Sequence, residues 1–138
     1  MLKLEHIVWT LPNGEAILKD ISLTAAAGRL VVVTGPNGGG KTSLAKVVAG
    51  LEAPSSGRIL LGGEDITGFD ITQRAQRGIS YAFQQPVRFK GLTVRDLLEL
   101  AAGSALREDA LCELLGKVGL CTRDYIDREI NASLSGGE

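Results

Sequence analysis

The chain has 138 residues, 44% of them apolar and 22% charged, a balance that supports a globular unit with a real core. Lys plus Arg is 15 and Asp plus Glu is 16, for a formal net charge of -1, so no overall field draws the chain to nucleic acid or to an anionic membrane. No stretch approaches about 18 consecutive apolar residues, and MLKLEHIVW lacks the apolar centre and cleavage site of a secretory leader, so a cytoplasmic protein is expected.

Residues 2–8 read as a strand with loose alternation. Pro12, Asn13 and Gly14 punctuate a turn over 11–15, and a second strand is expected over 16–24. His6 is the only histidine and reads as a surface residue of the first strand. In RLVVVTG (29–35) the run Leu30, Val31, Val32, Val33 is continuously apolar, which predicts a central parallel strand buried on both faces. A helix follows, with Leu44, Val47, Val48 and Leu51 at i, i+3, i+4 and i+7, stopped by Gly50 and APSSG. Short strands are expected at 58–62 and 79–83, with one or two helical turns over 72–78 between them.

From Gln84 the character changes. Thr93 can cap a helix bearing Val94, Leu97, Leu98 and Ala101. Leu111, Leu114, Leu115 and Val118 mark the next, ending at Gly119. Two parts are therefore expected, a β-rich core over 1–83 and a helical part over 84–138. The two cysteines read as reduced thiols, and Cys112, beside the apolar stripe of its helix, reads as a packing residue.

GPNGGGKT (35–42) lies between the apolar run and the first helix and fits G-x-x-x-x-G-K-[ST]. Glycine is 18 of 138 residues, nearly twice the usual ~7%, and this loop needs it. Gly35, Pro36, Asn37, Gly38, Gly39 and Gly40 let successive backbone N–H groups turn inward around phosphate oxygens, and the helix N-terminus at Lys41, Thr42 and Ser43 adds partial positive charge. Lys41 is expected to reach the β- and γ-phosphates as a mobile point charge, and Thr42 to offer its hydroxyl to Mg²⁺. A nucleoside triphosphate is the implied ligand. The N-K-x-D guanine reader of GTP switches is absent, because Asn13, Asn37 and Asn131 are followed by Gly, Gly and Ala. A small-molecule kinase fits the loop but not the end of the chain.

The order of motifs resembles the nucleotide-binding domain of ATP-binding cassette (ABC) proteins. GPNGGGKT looks like their Walker A loop, GISYAFQQP (78–86) like the segment entering their Q-loop, LTVRDLL (92–98) like the helix start after it, and LSGGE (134–138) like their signature motif, which usually ends in Gln. The resemblance implies an α/β P-loop NTPase core of the ABC type with a helical subdomain, binding ATP and Mg²⁺. It implies that Gln84 positions Mg²⁺ and the attacking water, Gln85 being a neighbouring loop residue. It also implies a second ABC ATPase domain docked head to tail, with Ser135, Gly136, Gly137 and Glu138 capping the γ-phosphate held by the other Walker A loop. The family often stacks adenine on an aromatic residue before the first turn. Here Leu11 stands at that place, and Trp9, two residues earlier, is either a stacking platform or a core residue.

ABC enzymes also carry a strand of about four apolar residues followed by Asp and Glu, which support Mg²⁺ and polarise water. RILLGGED (58–65) comes nearest, but two glycines separate its apolar run from Glu64. The chain therefore looks like an N-terminal fragment ending before the Walker B strand, inactive alone. Pro86 straight after the glutamines, and Arg128–x–x–Asn131 before the signature, resemble the soluble ATPase subunit of the SUF iron–sulfur cluster assembly machinery, with a soluble scaffold protein as partner. An importer ATPase with a membrane permease, and a non-catalytic regulatory cassette, are the alternatives. Segment 84–98, with Pro86, Val87 and Phe89 interleaved by Arg88 and Lys90, is the expected dock for the partner.

Overall fold

The computed structural model describes residues 1–85, 87 and 89–130. The chain separates into two compact units, Met1–Ala82 and Phe83–Glu138.

The first unit is built on a four-stranded antiparallel sheet in the order β2-β1-β3-β4, formed by β1 (Leu2–Thr10), β2 (Ala16–Ala25), β3 (Ser56–Leu61) and β4 (Glu64–Asp65). Strict alternation along β1 would put Leu4 and Ile7 on opposite faces, yet both are buried. The register shows how. Leu4 faces Leu23 and Ile7 faces Ile21, so β1 holds one residue more than β2 across this step. His6 takes up the extra residue with φ 53, returning Ile7 to the core face. The compensating step lies on β2, between Ile21 and Leu18, where Asp20 has φ 58. The two bulged residues meet on the surface, His6 Nδ1 lying 2.6 Å from Asp20 Oδ1.

Helix α1 (Lys41–Ala49) buries Val47 and Ala49, and Leu44 and Val48 pack against the sheet core of Leu4, Ile7, Leu18, Ile59 and Ile66. It ends on Gly50 in the left-handed conformation, with φ 83, whose N–H returns to the last turn. Gly62 and Gly63, both at positive φ, form the two-residue turn that pairs Leu61 with Glu64. Helix α2 (Ile71–Gln76) opens with a capping box in which the Asp70 carboxylate accepts from the Gln73 N–H and the Gln73 side chain accepts from the Asp70 N–H.

Two sequence expectations fail here. Residues 29–35 form no strand, and Leu30 and Val32 are 91% and 71% exposed, with Val31 and Val33 also on the surface. Residues 79–83 form no strand either. Ile79 packs on the core while Phe83 is exposed. A strand exists only through its ladder partners, and among the described residues none runs beside either segment.

The second unit holds α3 (Val94–Ala102), α4 (Glu108–Lys117) and the short α5 (Thr122–Tyr125). Its core is Leu111, Leu115 and Ile126, with Val94, Leu98, Leu106 and Leu120 packed against them. Thr93 caps α3 in a reciprocal box with Asp96. The residues preceding α3 lie against 126–130, through Phe89 N–H to Ile130 O, Ile130 N–H to Leu92 O and Val94 N–H to Arg128 O. Leu114 and Val118 are exposed, so the buried stripe of α4 is narrower than its leucine pattern indicates. Cys112 is exposed as well and is not a packing residue. Among the described residues no helix is long and apolar enough to cross a membrane.

Candidate nucleotide-binding site

The loop from Gly35 to Gly40 joins the extended segment 30–34 to α1. Gly35, Gly38 and Gly40 have φ of 153, 80 and 82, and the Gly39 N–H closes a turn on Pro36 O at 3.1 Å. A Cβ at Gly39 would sit 3.0 Å from Pro36 O, and one at Gly40 would sit 2.9 Å from the Leu18 side chain. The backbone thus lies where only glycine permits it. Gly40 is the N-cap residue, with no side-chain cap and no acidic residue in the first turn of α1. The leading N–H groups of the helix are left for an anion.

Lys41, the first residue of α1, curls over this loop, and its ammonium donates to Gly35 O at 2.7 Å and Pro36 O at 2.6 Å. Two positive features therefore converge on one short loop, namely an ammonium and an uncapped helix N-terminus. Thr42, one residue along, is exposed and Ser43 is half-buried. Beneath the loop a cleft of about 470 Å³ is lined by Leu18, Val31, Val33, Gly40, Lys41 and Leu44. Among the described residues no group of three or more His, Cys, Asp or Glu converges as a metal site. A cation here would take oxygen ligands from the Thr42 hydroxyl and from phosphate. The loop fits a Mg–nucleotide on those grounds.

The sequence profile of the ABC transporter family matches residues 18–138. The chain belongs to the ABC transporter family. It is 36% identical, over its whole length, to an ABC transporter ATP-binding protein of Methanocaldococcus jannaschii, covering 58% of that protein. It is 35% identical to the probable ATP-dependent transporter ycf16 of Pyropia yezoensis, over 88% of this chain and 54% of that one. With the taurine import ATP-binding protein TauB of Roseobacter denitrificans the figure is 39%, over 92% of this chain and 47% of TauB. A bacterial ABC transporter cassette solved as a dimer superposes with a TM-score of 0.82 at 24% identity, over 99% of this chain and 64% of that one. The fold is therefore the α/β P-loop NTPase core of the ABC ATPases. This ABC chain spans about half the length of the curated relatives it matches.

The remaining sequence-predicted residues fall elsewhere. Trp9 is half-buried and packs against the sheet core, while Leu11 sits at the turn, its carbonyl accepting from the Gly14 N–H. Gln84 and Gln85 are exposed at the start of the second unit, as are Val87 and Phe89. Pro86, Arg88 and the signature residues Ser135, Gly136, Gly137 and Glu138 lie outside the described residues. One residue of the first unit went unnoticed in the sequence. Arg74 of α2 is 1% exposed, the only buried polar or charged residue among those described. Arginine in a helix reads as a solvent-facing residue, so no periodicity marks it. The capping box D-x-x-Q at Asp70–Gln73 marks the start of the helix in the sequence but not the burial of Arg74.

Proposed function

We propose that residues 35–43 bind the phosphates of ATP with Mg²⁺, and that the whole protein is an ABC-type ATPase that drives a partner protein. The observation carrying this is the Lys41 ammonium folded over a glycine loop that ends at the uncapped N-terminus of α1. Lys41, which now donates to the Gly35 and Pro36 carbonyls, would hold phosphate oxygens, and the Thr42 hydroxyl would supply an oxygen ligand to Mg²⁺. By the family resemblance, Gln84 would supply an amide to Mg²⁺ and to water, and Leu11 or Trp9 would lie against the base. Ser135 to Glu138 cap the nucleotide of a second ABC ATPase domain. Removing the ammonium leaves phosphate charge uncompensated, a loss of about 2–4 kcal/mol, or roughly 30- to 1000-fold in affinity. Titration of wild type and Lys41→Ala with a fluorescent ATP analogue measures it, and equal affinities would refute the assignment.

For the partner, the relatives favour a membrane permease. TauB, the sulfate/thiosulfate import protein CysA of Synechocystis and the phosphonates import protein PhnC 1 of Rhodopseudomonas palustris are named import ATP-binding proteins. The iron–sulfur assembly reading rests on Pro86 and on Arg128–x–x–Asn131, and the names of the relatives given above do not mention such assembly. In both readings segment 84–98 is the dock, presenting exposed Val87 and Phe89. Co-purification with the full-length protein separates the two. A multi-span permease supports the first, a soluble iron–sulfur scaffold the second. Undiminished capture by Phe89→Ala would show that the dock lies elsewhere.

A further inference from the structure

We propose that Arg74 is a positioning residue for the nucleotide loop, holding α1 from the end opposite to Lys41. The inference rests on reading residues 35–43 as that loop.

The guanidinium of Arg74 is spent entirely on backbone carbonyls. Nη1 donates to Val47 O at 2.6 Å and Val48 O at 2.9 Å, Nε to Phe69 O at 3.0 Å and Nη2 to Thr67 O at 2.9 Å. No carboxylate among the described residues pairs with it. An unpaired buried cation is strongly disfavoured, and burial pulls this guanidinium below its ordinary pKa. What offsets the cost is the partial negative charge where α1 ends, since the Val47 and Val48 carbonyls belong to its last turn. Only the planar fork of arginine can reach this helix end and the Thr67 and Phe69 carbonyls at once.

The packing around it is closed. Gly50, the C-cap of α1, lies against the guanidinium stem, where a Cβ would come within 3.0 Å of Arg74 Cδ and 3.2 Å of Nε. The helix is nine residues long, so the carbonyls that Arg74 grips lie about 10 Å from Lys41 along a rigid rod. A tilt at one end displaces the other, and phosphate contacts tolerate little displacement. Both charges also act in one direction, because a cation at the C-terminal end reinforces the dipole whose positive end faces the anion. A tie needed only for folding would stabilise the unit without changing the loop's affinity for phosphate wherever the unit stays folded. A positioning role predicts that charge and fork matter to the loop itself.

The test compares wild type, Arg74→Lys, Arg74→Met and Lys41→Ala by titration with a fluorescent ATP analogue below each variant's melting range. Amide hydrogen exchange without nucleotide is followed in parallel. Arg74→Met is expected to bind about tenfold more weakly, about 1.4 kcal/mol. It should lose protection within α1 while β1 and β3 keep theirs. Arg74→Lys, which keeps the charge but not the fork, is expected to be about threefold weaker. Wild-type affinity in Arg74→Met would overturn the proposal, as would loss of protection spread evenly over the unit. If Arg74→Met does not fold, Arg74→Lys decides, a threefold loss supporting the proposal and unchanged affinity overturning it. Wild-type binding by Lys41→Ala would instead refute the loop assignment, and exchange in α1 would still show whether Arg74 holds the helix.

Discussion

A glycine at positive φ matters most where another backbone occupies the space its side chain would need. Gly57, at φ 98, faces the His6 bulge across β1 and β3, and a Cβ there would lie 2.4 Å from His6 O and 2.6 Å from Glu5 O. Gly14, at φ 88, has nothing within 4 Å of the corresponding point. Gly14→Ala should therefore cost only the left-handed strain, about 1 kcal/mol. Gly57→Ala should cost more, at least about 2–3 kcal/mol, because backbone must also move. Urea denaturation midpoints check the order, and equal shifts would mean that the bulge yields freely. Both glycines were visible in the sequence. The difference between them was not, since it depends on a strand some fifty residues away.

Helix α3 is a case in which local chemistry was legible. Thr93 was read as its cap, and the structure shows Thr93 Oγ1 accepting from the Asp96 N–H while the Asp96 carboxylate accepts from the Thr93 N–H. Thr93→Ala should destabilise the helical unit by about 1 kcal/mol in thermal melts. The Thr93 backbone N–H, and then its hydroxyl, hold the Asp96 carboxyl below the usual range. A carboxyl depressed in the folded state stabilises above its unfolded pKa of about 3.9, and that contribution is lost as pH falls through the folded value. Acidification from about pH 4 downward should therefore lower the melting temperature of wild type by more than that of Asp96→Asn. Parallel slopes in the two proteins would show that the box carries no pH-dependent stability. Capping survives translation from sequence because its partners are three residues apart.

At the scale of the molecule, the extended segment Leu30–Val33 places four consecutive exposed apolar residues on the surface. Unpaired backbone beside exposed valine is a template for pairing between chains. The 138-residue chain is expected to self-associate as concentration rises, and Val32→Lys to reduce that association. Sedimentation velocity over a concentration series measures both. A wild-type chain that stays monomeric throughout would contradict the expectation.

The glycine loop at 35–40, the caps of α1 and α3 and the first two strands could be read directly from residue order. Each rests on neighbours within a few positions, where the backbone itself sets the geometry. The His6 bulge, the lack of strand structure at residues 30–33 and 79–83 and the burial of Arg74 could not. A bulge is defined only against the register of a facing strand. An apolar run becomes a buried strand only when ladder partners arrive from elsewhere in the chain. Arg74 is inside because four carbonyls from α1 and the Thr67–Phe69 turn converge on it. No local pattern encodes such a meeting, because the free energy that stabilises it comes from desolvated groups far apart in sequence.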